Sequence, residues 1–412
     1  MRCFILKRKF INMISLLTMI ALIASAAGCS SAKTSPESSA TTTTATTSTT
    51  ATTMVTDNMA AANSNSPDSS ELLSSRDLEQ TADLSAASQL TLESGTDIAL
   101  SNEGVYILQG TASDVTIVIE APNDAKVQLV LDGVSISNTD APAIYVKSAD
   151  KVFITTTSSE NSMTVSGSFI ADGQTNLDAV VFSKADLTLN GLGLLQINSA
   201  QGNGISSKDD LVITGGIYEI KAAADGLEAQ DALLISNGSL SINSGKDALH
   251  CENADNTSLG YILISGGTIE ITAADDAIRG NSRVQIDGGT INIKTCVEGI
   301  EANIITINNG QITLFAKDDG INATQKVSGE VGIIVNGGTI NMSIGSGDTD
   351  GFDSNGNITI NGGTIDIEAM SAFDSNGTAI LNGGDVTVNG TKITQIIQTQ
   401  PGGGPGGGRP RR

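Results

Sequence analysis

The 412-residue sequence predicts an all-β fold, a right-handed parallel β-helix of about ten coils wound from a single chain. Three observations lead there. Short alternating runs rich in Ile and Val are broken by Gly-Gly, Asn-Gly or Asp-Gly turns. One template recurs along most of the chain. No segment carries a convincing helical apolar period. Aromatics make up only 3% and Trp is absent, while Gly, Ser, Thr, Asn and Asp abound, which suits a turn-rich β architecture better than an α/β core.

The template is plainest in ITGGIYEIKAAADGLEA (213–229), ISGGTIEITAADDAIRG (264–280), IDGGTINIKTCVEGIEA (286–302) and INNGQITLFAKDDGINA (307–323). Nine residues separate the second glycine from the acid in five units: Gly216/Asp225, Gly238/Asp247, Gly267/Asp276, Gly289/Glu298 and Gly310/Asp319. The acids themselves recur every 21 or 22 residues, with insertions expected near 252–260 and 323–332. Weaker copies run upstream from about 140 and downstream to about 377. Stacking such units buries Ile on Ile, which no single unit can do alone. A β-propeller would need a period near 40.

The segments outside the repeat read differently. Lys7-Arg8-Lys9, an apolar run to about Ile23 and Ala26-Ala27-Gly28-Cys29 describe a secretory signal (1–28) of the lipoprotein type, with Cys29 as the lipidated residue. The expected location is the outer face of a bacterial cell membrane, reached through the lipid alone. Residues 29–85, dominated by Ser, Thr, Ala and Asn, read as a linker, 86–400 as the β-helix, and the Gly/Pro/Arg segment 401–412 as a disordered tail. Cys251 and Cys296 lie two coils apart, too far for a disulfide, so free thiols are expected.

Formal charge is −23, and −27 once the signal, with its four basic residues and no acid, is removed. That argues against nucleic acid as a partner and raises the question of what offsets the repulsion. Stacked coils turn the acids into columns. The first holds Asp225, Asp247, Asp276, Glu298, Asp319 and Asp350. The second, three residues on, holds Glu228, His250, Arg279, Glu301, Asn322, Asp353 and Asp374. Carboxylates about 5 Å apart repel strongly, and calcium, a hard ion seeking six to eight oxygens, suits them. Zinc does not, because no Cys or His cluster accompanies the acids. Three groups are candidates: Asp319, Asn322, Asp350, Asp353 and Asp374; then Asp276, Glu298 and Glu301; then Asp225, Glu228 and Asp247. A solvated acidic edge that keeps the rod soluble is the alternative. GDTDGFDSNG (347–356) imitates an EF-hand loop but fails its spacing, and DSNG returning at 374–377 marks it as one corner of one coil. Phe352 and Phe373 then become stacked core residues.

The run LQGTASDVTIVIEAPNDAKVQLVLDGVSISNTDAPAIYVKSADKVFIT (108–155), with SKADLTLNG, SSKDDLVITGG and the Asp-Gly-Ile repeats, resembles the bacterial carbohydrate-binding β-helix family over roughly 86–400. The resemblance implies an exported, calcium-containing right-handed β-helix, similar in fold to pectate-lyase-type lyases. It implies binding of plant cell-wall polysaccharide, cellulose or acidic sugars such as polygalacturonate, without established catalysis. With no Trp, a flat platform for cellulose is hard to build, which favours acidic glycans, with Tyr218 or Tyr261 available to stack on a ring. The alternatives are a calcium-dependent lyase using Lys317 as base and a structural surface adhesin. A monomer is expected.

Overall fold

The computed structural model of the chain describes residues 72–347 and 349–397. Cys29, the signal segment, Asp348 and the tail 401–412 lie outside the described residues. The described chain is a parallel β-solenoid. Twelve short strands, from Ile98–Leu100 to Ser371–Ser375, form one sheet, and 24 others form a second sheet folded into two faces. A typical coil runs Leu227–Ala229, Ala232–Ile235, Ser239–Ser244, and the next opens at Leu249–Cys251. We call the three faces, in that order, the short-strand face, the strap face and the open face. All strand ladders are parallel except the last, where Asp385–Val388 pairs antiparallel with Thr391–Ile393 and closes the end.

The solenoid has about twelve turns where the repeat suggests about ten. The extra coils lie at the N-terminal end. There Gly104–Ser113 and Lys126–Asn138 are long strands that turn the corner by bending, so no Gly-Gly marks it. The insertions fall where the spacing puts them, between Cys251 and Tyr261 and between Ala323 and Gly332.

The interior is a set of ladders. Leu227, Leu249, Ile278, Ile300, Ile321, Phe352 and Phe373 stand in register, one per coil. Each is buried, a gain of roughly 2 kcal/mol per side chain before entropy is counted. The Phe352 and Phe373 rings stack 5.4 Å apart at 11°, as the DSNG repeat implies. Cys251 and Cys296 are free and fully buried. The second glycine of the Gly-Gly corner is held twice over at Gly267. Its φ is +87°, and a Cβ there would meet the Gly238 carbonyl oxygen at 3.0 Å.

Part of the segment read as linker is structured. Ser75–Leu78 is a helical turn in which Ser74 and Asp77 form a reciprocal capping box. This strap lies along the strap face. Leu72 and Leu73 pack on Val212, Ala232, Leu234 and Leu263. Asp77, 1% exposed, accepts from Lys151 Nζ at 2.7 Å and Thr188 Oγ1 at 2.6 Å. Burial pushes its pKa up, but those bonds win and hold it below the usual value. Gln80 accepts from the Gly191 N–H and donates to the Thr214 carbonyl.

Candidate functional site

The acids gather at the corner joining the open face to the short-strand face. The local reason is a hydrogen-bonding shortfall. At this corner the acid's own N–H points back toward the preceding coil, where a side-chain oxygen meets it. Asn203 Oδ1 accepts from the Asp225 N–H at 2.9 Å, Asp225 from Asp247 at 3.1 Å, Asp247 from Asp276 at 3.0 Å and Asp276 from Glu298 at 3.3 Å. Asp319 accepts from the Asp350 N–H at 2.8 Å. Between them Glu298 reaches instead to Asn322, whose Nδ2 donates to it at 3.0 Å. The first column is therefore a capping ladder, and its carboxylates are oriented by the fold.

Capping alone does not require charge. Asn203 opens the ladder as an amide. At another corner Asn308, Asn336, Asn361 and Asn382 build a side-chain ladder from amides, each Nδ2 donating to the side chain before it, down to Asp287, while their backbone N–H groups bond to carbonyls. Acids at the first corner thus bring a repulsion that the fold could have avoided.

The two ends of this corner meet that repulsion differently. In the N-terminal part the protein supplies cations to Asp225, Asp247 and Glu301, though none within 4.0 Å of Asp276 or Glu298 among the described residues. His250 Nδ1 lies 3.1 Å from Asp225 and 3.9 Å from Asp247. Arg279 reaches Asp247 at 3.6 Å and Glu301 at 3.5 Å, and Lys326 Nζ reaches Glu301 at 2.6 Å. Burial draws the His250 imidazole down, but the Asp225 bond and the charges of Asp225 and Asp247 outweigh it and raise its pKa. Glu228 faces Lys208 at 2.9 Å and Asn203, not Asp225 and Asp247. Asp276, Glu298 and Glu301 come together, one oxygen from each within 4.8 Å of the others. Burial and the neighbouring charges push Asp276 up to about 7 and Glu298 to about 8.

In the C-terminal part the register is as expected: Glu301, Asn322, Asp353 and Asp374 stand in one column. Asp319, Asp353 and Asp374 have no Lys, Arg or His within 4.0 Å among the described residues. They are not among the trios whose oxygens lie within 4.8 Å. They still sense one another. Burial with the charges of Asp353, Asp318 and Asp350 pushes Asp319 up to about 7, and burial with Asp350 and Asp374 pushes Asp353 to about 6. Asn322 is 7% exposed, and its Oδ1 has no hydrogen-bond partner. Its Nδ2 is committed to Glu298 on the preceding coil, and Asp353 stands in register with it on the next. A buried acceptor among under-neutralised carboxylates is a donor set that fits a hard cation.

The sugar-stacking residues fall elsewhere than expected. Tyr218 is 1% exposed and faces the core, and Tyr261 is half-buried beside the strap. Lys317 is exposed, and none of the described residues gives its ammonium a hydrogen bond or ion pair.

A parallel β-solenoid with one charged corner and long polar faces defines a class of surface-presenting scaffold. Comparison with known proteins makes it particular. The family model described as carbohydrate-binding domain-containing protein matches residues 94–351 and 301–395, so the chain belongs to that family. A relative from Acetivibrio thermocellus, also described as a carbohydrate-binding domain-containing protein, is 36% identical over 129 residues. The match takes in 31% of this chain and 45% of the relative, so the chain spans just under half the length of that curated relative. A solved polysaccharide lyase-like protein from C. thermocellum, a gadolinium derivative, is 29% identical, with a TM-score of 0.46 over 52% of this chain and 96% of its own.

Proposed function

We propose that this protein is a non-catalytic polysaccharide-binding module, shown on the bacterial cell surface by a lipid on Cys29, and that its ligands are acidic glycans such as polygalacturonate. Membership of a carbohydrate-binding family carries this reading. Calcium is its cofactor, held at the C-terminal part of the acidic corner by Asp319, Asp353 and Asp374 with Asn322 Oδ1, and Asp350 on the same coils. The lack of basic partners at Asp319, Asp353 and Asp374 among the described residues supports that placement over the N-terminal part, where Arg279 and Lys326 already neutralise Glu301. When bound, the ion removes the repulsion within the column and gives the corner a positive centre that a sugar carboxylate can share. The lyase alternative needs Lys317 as an oriented base. Its exposed side chain has no such orientation, so non-catalytic binding stands first.

The experiment is titration calorimetry of the calcium-loaded protein with polygalacturonate, repeated after chelation, with absorbance followed for unsaturated product. Binding with no product is expected. Product formed by the wild type and lost in Lys317→Ala would overturn the non-catalytic reading. Binding equally tight after chelation would overturn a role for calcium in it.

A further inference from the structure

The open face carries a site of its own. Strand alternation sends every second residue outward, and one outward row runs Thr164, Asn198, Lys221, Asn243, Thr272 in strict register. After a bulge at Thr295 it reaches Phe315. The N-terminal end of this row lines a shallow groove of about 390 Å³ together with Gln196, Glu219 and Ser241. The groove is lined mostly by polar and small side chains, which leaves room above the backbone.

Two residues break the monotony of that row. Phe315, 40% exposed, is the single aromatic among the large apolar side chains exposed in the described residues. On a face whose other exposed large apolar side chain is the aliphatic Ile217, its phenyl ring matches the apolar face of a pyranose ring. It sits four residues before Asp319, on the coil that opens the C-terminal acidic part. Lys221 is an exposed ammonium with no carboxylate within 4.0 Å among the described residues, in a chain of charge −23. Its neighbours do not take it: Glu219 is held by Gln196 Nε2 at 2.8 Å, and Glu270 is held by Lys294.

We propose that the open face is the glycan-binding surface and that a uronate-containing chain lies along the solenoid axis over this row, one ring on Phe315 and a carboxylate on Lys221. The row repeats its hydroxyls and amides at the coil spacing of about 4.8 Å, near the length of one hexose in an extended chain. Phe315 and Lys221 are four coils apart, about 19 Å, a span of several sugar units. Asn198 and Asn243, flanking Lys221 on adjacent coils, supply donors and acceptors to sugar hydroxyls. This deepens the polysaccharide-binding reading and rests on it.

Calorimetry on the calcium-loaded full chain tests it with two probes, a galacturonate oligomer and a neutral xylan oligomer of equal length. Phe315→Ala is expected to weaken the acidic oligomer about tenfold. Lys221→Gln is expected to weaken the acidic oligomer by a similar factor and leave the neutral one unchanged, a split that a folding defect cannot produce. Lys392→Gln, which removes one positive charge on the terminal hairpin, is expected to leave both unchanged. Unaltered binding in both open-face variants, or equal losses in Lys221→Gln and Lys392→Gln, would overturn this placement while leaving the polysaccharide reading intact. A wild type that binds neither oligomer nor the parent polymers overturns both.

Discussion

The two parts of the acidic corner occupy the same column positions of the same repeat, yet they balance charge by different means. Around Asp225, Asp247 and Glu301 the protein brings His250, Arg279 and Lys326. Around Asp319, Asp353 and Asp374 it brings a bare amide oxygen, that of Asn322. The lesson is that a carboxylate column is not by itself a metal site. What decides is whether side chains on neighbouring coils have already met its charge.

The sharpest break of this contrast is Arg279→Ala. It takes from Asp247, 3% exposed, its only permanent cation, leaving His250 at 3.9 Å, while Glu301 keeps Lys326 at 2.6 Å, and it should cost about 3 kcal/mol in denaturant unfolding. A loss under about 0.5 kcal/mol would mean that the N-terminal part is not balanced by its own cations. Calcium is next in size. At a free concentration about a hundred times its Kd it should add about 2.7 kcal/mol, read as a rise in Tm that chelation reverses. Asp319→Asn with Asp353→Asn should abolish that rise, whereas Asp225→Asn should keep it. A calcium response surviving the double variant would move the ion elsewhere.

The pH dependence sharpens the same division. In chelated protein Asp319 holds its proton up to about 7, against a reference value of 3.8 for the unfolded chain. The folded state then binds more protons between those values, so stability present in acid is lost as pH rises toward 7. Added calcium should flatten that slope, and a slope indifferent to calcium would count against the C-terminal site. His250 gives the smallest effect. Its folded pKa is raised, so its contribution is complete below the unfolded value of about 6.5 and disappears as pH climbs through the folded one. His250→Gln should cost about 1 kcal/mol in acid and progressively less in alkali. An equal cost at both ends would show a packing effect instead.

Much of the fold is legible because the solenoid writes its geometry into spacing. The nine-residue interval from glycine to acid sets the register, and with it both columns and the Phe352–Phe373 stack. The repeat undercounts the N-terminal coils because bent strands replace the glycine corners there. The balance of charge is not legible, since Lys326 reaches Glu301 from the 324–331 insertion, whose path no period dictates. Tyr218 and Phe315 carry a plainer lesson. Alternation alone sends Tyr218 inward beside Ile220 and Phe315 outward between Leu314 and Ala316. The strap is hidden because Ser74-Ser75-Arg76-Asp77 reads as linker unless the capping pair is sought.

That strap changes how the rod would bear a load. The solenoid's first strand begins at Ser88, so a chain pulled from its N-terminal side would ordinarily peel the first coil away, one ladder at a time. Here the pull arrives at Leu72 and Leu73, which grip the side of the rod at Val212, Leu234 and Leu263. It passes next to Asp77 and Gln80, fastened to Lys151, Thr188, Gly191 and Thr214. Tension is thus shared in shear among several coils at mid-rod, and the terminal coil lies behind the clamp, out of the line of force.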